Sequence, residues 1–254
     1  MSTLDNDPQL LSFDNIVLGI VCPMANEATT AVEFVNEVLD QCSPYNFRSV
    51  NFYAIVDRAT TDNTLDLLLE LARQRSALHV VWAPLNRNVV DAYVRGYREA
   101  LAAGCDWILE IDAGYSHQPS EIPQFFRKMK EGYACVFGSR FCDGGRMIDA
   151  PFKRWLVSRG GTLVTNVVLG TRLKDMTGGF ELFSRPALSA VIERGIQSAG
   201  PFFQTEIKAY CRNLSFAELP ITYKSPSGNV NNSSLKDAFQ HLWRLFQLRR
   251  SGRL

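Results

Sequence analysis

The residues of this chain best suited to chemistry are acids and one arginine that each follow a run of apolar residues. Residues 109–119 read LEIDAGYSHQP: a β-rich run closes on Asp112, and Gly114 stands two positions further on. A carboxylate at such a strand end is the hard oxygen ligand that Mg2+ or Mn2+ selects. A second acid at position 114 would complete a pair of carboxylates, but glycine leaves the loop with one. Other runs end alike, in Pro23 followed by Asn26 and Glu27, in Asp57 and in Arg140. An acid there can accept hydrogen bonds from hydroxyl or N–H groups, and a guanidinium can grip phosphate through two parallel bonds. Two acids and a base delivered to one edge are more than a solvated rim needs.

The elements that must position these groups alternate. Runs at 15–23, 50–57, 78–84, 105–113 and 133–140 have strand composition, and between them 29–42, 62–74, 89–104 and 119–132 carry apolar residues at helical spacing. Asp62 fits a helix cap better than a ligand. This order predicts an α/β fold, a doubly wound and mostly parallel sheet with helices on both faces, which binds ligands at the carboxyl ends of its strands. Past residue 141 come a Gly-rich loop, an amphipathic helix over 152–170, a turn entering a strand over 174–185, helices near 187–194 and 202–212, and a last strand over 214–224.

Composition narrows the class. With 254 residues, 46% hydrophobic and 21% charged, the chain is an ordinary folded protein, and a net charge of +1 gives no reason to expect a nucleic-acid partner. The six cysteines include no Cys-x-x-Cys pair and no zinc spacing, so they are expected to be reduced and structural, in a cytoplasmic setting. The polar, acidic start MSTLDNDPQLLSFDN does not have the pattern of a secretory signal, and no apolar stretch reaches the roughly 20 residues that span a bilayer.

Six stretches in order, VCPMANE (21–27), VDRATTDNT (56–64), IDAGYSHQP (111–119), GSRFCDGG (138–145), KDMTGGFELFSR (174–185) and FFQTEIKAY with ELPITYK (202–224), resemble family 2 glycosyltransferases of the GT-A fold, and most closely their polyprenyl-phosphate mannosyltransferase branch. The resemblance implies a Rossmann-like GT-A domain over 14–224, followed by a loop and a basic amphipathic helix over 225–254. It implies that Pro23, Ala25, Glu27 and Asp57, with Ala113 and Gly114, hold the nucleotide-sugar. Relatives carry an aromatic where this chain has Ala25, so stacking on the base is lost, and Glu27 also reads as the start of a helix. The family's Asp-x-Asp-x-Gln, which binds Mg2+ or Mn2+ on the donor diphosphate, reads here as Asp112, Ala113, Gly114, Tyr115, Ser116. Because Mg2+ keeps waters and takes oxygens from substrate phosphates, Asp112, with Ser116 in place of the amide, implies a thinned metal site that substrate completes. His117 reads as a residue fixing the turn before Pro119.

Arg140 is then expected to carry more of the phosphate charge, helped by Lys153, Arg154 and Arg159. The resemblance casts Asp175 as a catalytic carboxylate, a base in other transferases of the fold, or as a group orienting sugar or acceptor, and a turn-forming role fits Asp175 almost equally well. Gln204, Glu206 and Lys224 are placed at the acceptor or its phosphate, with Lys224 or Lys236 standing in for a late arginine that relatives have and this chain lacks. From Leu235 the tail sets Leu, Phe, Leu and Phe at 235, 239, 242 and 246 beside Trp243, with five bases and one acid. Such a helix suits a membrane interface and equally a helix packed on the domain with a solvated basic end. The 152–170 segment is a second lipid-facing element.

The expected function is transfer of a hexose from a nucleotide-sugar, GDP-mannose or a UDP-hexose, to a polyprenyl phosphate, inverting and metal-assisted, at the inner face of the membrane. Two rivals stand: a transferase acting on a glycan or protein, which would need Asp175 as a base, and a catalytically silent nucleotide-binding partner of a membrane protein. A sugar nucleotidyltransferase is excluded, since no Gly-rich loop ending in Arg follows the first strand.

Overall fold

The computed structural model describes residues 12–224 and 232–254. Its strands are β1 (Val17–Pro23), β2 (Ser49–Val56), β3 (Leu78–Trp82), β4 (Trp107–Glu110), β5 (Cys135–Ser139), β6 (Arg146–Ile148), β7 (Glu181–Ser184), β8 (Phe216–Pro220) and β9 (Thr222–Lys224). Its helices are α1 (Ala31–Cys42), α2 (Thr64–Gln74), α3 (Val89–Ala102), α4 (Ile122–Lys130), α5 (Phe152–Leu169), α6 (Arg185–Arg194), α7 (Phe203–Tyr210) and α8 (Asn232–Arg250).

Seven strands form one sheet in the order β3-β2-β1-β4-β7-β5-β8. All neighbours are parallel except β7, which runs antiparallel to β4 and β5. The expected doubly wound sheet is therefore present. Its central strands are apolar because helices cover both faces: α1, α2 and α4 close one core with Phe34, Leu68 and Phe125, while α3, α6 and α7 close the other with Tyr97, Leu188 and Ile207. The chain leaves β1 toward β2 and β3 on one side and crosses to β4 on the other. That reversal opens a crevice at the carboxyl ends of β1 and β4, where doubly wound sheets bind ligands. Residues 23–27 and 111–117 line it.

Two details depart from the sequence reading. The last strand, expected over 214–224, is two: Pro220, with no N–H to donate, ends β8, and after Ile221 the chain enters a second, two-stranded sheet of β9 with β6. β6 itself lies in what read as a Gly-rich loop. The tail packs on the domain, one of the two placements its composition suited. Leu245 of α8 is fully buried, and the Arg249 guanidinium donates to the carbonyls of Val167 and Val168 at the end of α5 (3.2 and 2.8 Å). Residues 225–231 of that segment lie outside the described residues. The six cysteines are free, five of them buried.

Candidate active site

The donor side of the crevice is two loops clamped together. Asn26, in a left-handed conformation (φ 60°), accepts from the Thr61 N–H (2.8 Å) and donates to the Ala59 carbonyl (2.9 Å). Asp62 accepts from the Ala28 and Thr64 N–H groups, both at 3.0 Å, so from the residue before the Asn63 N-cap it ties the first residue of α2 to the β1 loop. Asp57 accepts from the Ala59 N–H (2.9 Å), while Ala25 is exposed. Asn26, noted in sequence only as a strand-end residue, shapes the loop.

Glu27 sits between this pair and the Asp112 loop. One of its oxygens accepts from the Thr30 hydroxyl (2.9 Å). Its carboxylate lies over Gly114: a Cβ on that residue would stand 2.9 Å from both Glu27 oxygens, and Gly114 has φ 64°. The left-handed backbone favours glycine at position 114, and the Glu27 carboxylate occupies the space a side chain there would enter. Burial raises the Glu27 carboxyl above its ordinary pKa, against the Thr30 hydrogen bond, and the acids Asp62 and Asp112 push it the same way.

Asp112 follows β4 with its side chain 37% exposed. Its Oδ1 accepts the Tyr93 hydroxyl of α3, and its backbone N–H donates to Nδ1 of His117 (3.1 Å). His117 is buried, stacked on Phe180 (4.9 Å between ring centres), and lies 5.4 Å from the Tyr223 ring. Since Nδ1 accepts a hydrogen bond, the ring hydrogen is on Nε2, and the 3.8 Å approach of Nδ1 to Asp112 Oδ2 is not an ion pair. Burial drives the His117 pKa down to about 4, outweighing the Asp112 charge. His117 is thus the turn-fixing residue that the sequence suggested.

For a divalent cation the donor chemistry fits: the free oxygen of Asp112 is a hard ligand facing solvent. Among the described residues no three His, Cys, Asp or Glu side chains converge as a ready-made cage. Ser116 is buried, and its carbonyl accepts the Lys224 N–H (2.8 Å), so its backbone anchors β9 to the loop. No contact joins its hydroxyl to Asp112.

Arg140, just past β5, is buried and spoken for. Its Nε and Nη2 donate to the two oxygens of Asp175 (2.7 and 2.8 Å), its backbone N–H to the same carboxylate (3.0 Å), and Nη2 also to the Thr177 hydroxyl (2.6 Å). Although burial alone would raise the Asp175 pKa, the Arg140 guanidinium holds its carboxyl far below the usual range. Asp175 is therefore a very weak base. The rival reading's need for Asp175 as a base runs against this pairing. Glu218 of β8 fixes the loop by accepting the Lys174 and Asp175 N–H groups (2.9 and 3.0 Å).

Arg140, Arg154 and Thr177 form the polar end of a cavity of about 500 Å³ between α5 and α8, whose walls include Val157, Val164, Phe202 and Phe239. Tyr223 joins this cavity to the Asp112 loop. Its hydroxyl accepts from Arg154 (3.2 Å), and its ring lies under Arg140 and Arg154 (5.5 and 5.7 Å) and beside His117. Tyr93 and Tyr223 were not expected from sequence.

Four expected acceptor residues do not line this cavity. Gln204 is buried and donates to the Glu110 carboxylate inside the fold. Glu206, fully buried, accepts from the Ser198 N–H (3.0 Å), the Tyr210 hydroxyl (2.9 Å) and Arg244 of α8. Both act as structural residues, and the acceptor role is withdrawn for them. Lys224 ends β9 at the surface, joined to the Asp112 loop through its backbone. Arg159 donates to the Lys174 carbonyl (3.2 Å) and rests 5.3 Å from the Phe141 ring.

The doubly wound sheet, with acids at its switch point and an arginine-lined cavity alongside, has the GT-A architecture expected from sequence. The chain belongs to glycosyl transferase family 2, whose profile matches residues 19–192. It is 32% identical over 171 residues to undecaprenyl-phosphate mannosyltransferase of Micrococcus luteus, covering 66% of this chain and 70% of that protein. It is 25% identical over 238 residues to polyprenol monophosphomannose synthase of Mycolicibacterium smegmatis, covering 92% of this chain and 88% of that one. Among solved structures, glucosyl-3-phosphoglycerate synthase of Mycobacterium tuberculosis with Mn2+, UDP and phosphoglyceric acid shares the fold, with a TM-score of 0.60 at 18% identity over 94% of this chain and 79% of that chain.

The His117 geometry is testable by 15N NMR. The ring should show its hydrogen on Nε2 and titrate near pH 4 instead of 6.5. Because the folded value lies below the unfolded one, this residue's share of stability is full above pH 6.5 and is lost as pH falls toward 4. A titration near 6.5, or a hydrogen on Nδ1, would contradict the assignment.

Proposed function

We propose that the chain transfers a hexose, with mannose favoured by its named relatives, from a nucleoside-diphosphate sugar to a polyprenyl phosphate at a membrane surface, with inversion at the anomeric carbon. The observation that carries this reading is the α5–α8 cavity, apolar along its walls and closed by arginines at the end nearest the Asp112 loop through Tyr223. Such a cavity suits an isoprenyl chain ending in a phosphate.

The acceptor chemistry agrees. A hydroxyl acceptor needs a base, whereas a phosphate oxygen is already anionic. Asp175 is held ionised by Arg140 and cannot serve as that base. In the proposed reaction an acceptor phosphate oxygen forms the new bond to the anomeric carbon as the bond to the donor diphosphate breaks, and no proton moves. Pro23, Ala25, Glu27 and Asp57, with the backbone at Ala113 and Gly114, hold the nucleoside and sugar. Arg154, half-buried and hydrogen-bonded to Tyr223, takes the acceptor phosphate, with Arg159 and Lys224 adding positive charge at the rim. Arg140 orients Thr177 and contributes field without leaving Asp175. Asp112 is the residue that would hold Mg2+ or Mn2+, a Lewis acid that neutralises charge on a departing diphosphate.

Membrane docking follows from the same two helices. Among the described residues no helix is long and apolar enough to cross a membrane. Yet Phe152 (74%), Leu163 (66%) and Val167 (73%) of α5 and Phe239 (69%) and Trp243 (61%) of α8 are exposed, with bases at Lys153, Lys236, Arg250 and Arg253. Apolar faces rimmed by bases suit an anionic interface, each base adding about 1 kcal/mol.

The test is an assay with radiolabelled GDP-mannose and UDP-hexoses against undecaprenyl phosphate and undecaprenol in anionic vesicles with Mn2+. Label should enter the phosphate lipid and not the alcohol, and Asp112→Asn should slow transfer about 100- to 1,000-fold. Transfer to the alcohol, or none to any phosphate lipid, would overturn the proposal. In flotation, Phe152→Glu with Phe239→Glu should release the protein from anionic vesicles, while an unchanged bound fraction would remove these helices from membrane contact.

A further inference from the structure

We propose that Glu27, from the loop after β1, supplies the second carboxylate of the divalent-cation site, in place of the acid that the Asp112 loop lacks at position 114. The inference deepens the metal-assisted reading above and rests on it.

The geometry carries it. A Cβ built on Gly114 points straight at Glu27 and would stand 2.9 Å from each of its carboxylate oxygens. The space that a side chain at 114 would enter is thus held by a carboxylate reaching across the crevice. Each acid has committed one oxygen: Oδ1 of Asp112 to the Tyr93 hydroxyl, and Oε2 of Glu27 to the Thr30 hydroxyl (2.9 Å). Among the described residues, Oδ2 of Asp112 and Oε1 of Glu27 accept no hydrogen bond. Glu27 is further fixed by its backbone N–H, which donates to Thr64 (2.7 Å). Both acids stand at the switch point, where β1 and β4 run side by side as parallel neighbours. The charges acting on Glu27 are those of Asp62 and Asp112, both negative, and a hard dication is the ligand that relieves such crowding.

A swap separates this role from nucleotide binding. Mn2+ binding is measured by EPR with GDP or UDP present, alongside nucleotide binding by calorimetry without metal and melting temperature as a folding control. Glu27→Gln, which keeps the Thr30 bond, should weaken Mn2+ at least about tenfold, the loss typical even of an outer support. Its loss of Mn2+ affinity should exceed its loss of metal-free nucleotide affinity, since Glu27 also touches the nucleotide. Gly114→Asp alone should not bind better, because its side chain takes the space of the Glu27 carboxylate and displaces it. Combined with Glu27→Ala it should regain Mn2+ affinity over Glu27→Ala, since a left-handed position tolerates Asp. Unchanged Mn2+ affinity in Glu27→Gln, an equal loss of metal-free nucleotide binding, or a folded double variant that regains nothing would overturn the inference while leaving the transferase reading intact. No Mn2+ binding by the wild type with either nucleotide would overturn both.

Discussion

The site is organised by one buried ion pair. Arg140 and Asp175 meet through two parallel bonds, with the Arg140 backbone N–H adding a third. Taking two charges out of water costs several kcal/mol per ion, and only such saturated geometry repays it. The pair welds the end of β5 to the 174–179 loop, turns Thr177 toward the cavity and removes an acid that could have acted as a base. The acceptor chemistry of the site is narrowed by a contact that makes no bond to substrate.

A second buried network supports the floor. Lys208 of α7 pairs with Glu181 of β7 and donates to the Gly178 carbonyl (2.6 Å), while Tyr97 and Gln204 donate to Glu110 of β4. Burial pushes the Glu181 carboxyl above its ordinary pKa despite its lysine. Breaking such a pair by removing one partner typically costs about 3–5 kcal/mol. The network therefore fixes β4, and Asp112 beyond it, against β7 and α7. On the outside, Arg244 ties α8 to Glu206 and Arg249 caps the end of α5, so the cavity walls are braced from both sides.

Much of this was legible in sequence. Apolar runs closing on Asp57, Asp112 and Arg140 located the strand ends, and the alternation of elements gave the sheet. Asp62 as a residue of the α2 start, one position before the Asn63 N-cap, and His117 as a turn residue follow from local chemistry that spacing reveals. What escaped was tertiary. Helix α7 is buried almost all round, so no periodicity distinguishes a Gln204 or Glu206 facing the interior from one facing a ligand. Gly114 reads as a lost ligand until the fold brings Glu27 over it from a loop some ninety residues earlier in the chain. Tyr93 and Tyr223 look like core aromatics, and only the crossing of α3 and β9 with the Asp112 loop gives them polar work. The split of 214–224 into two strands turns on Pro220, a breaker in a run that otherwise reads as continuous.

The central claim is that an isoprenyl phosphate lies between α5 and α8 with its phosphate beside Arg154. Photocrosslinking with a diazirine-bearing polyprenyl phosphate, mapped by mass spectrometry on the full chain in detergent, tests it most directly. The account predicts adducts on Val157, Val164 or Phe239, displaced by unlabelled polyprenyl phosphate but not by polyprenol. Adducts confined to other surfaces, or competed equally by the alcohol, would contradict it.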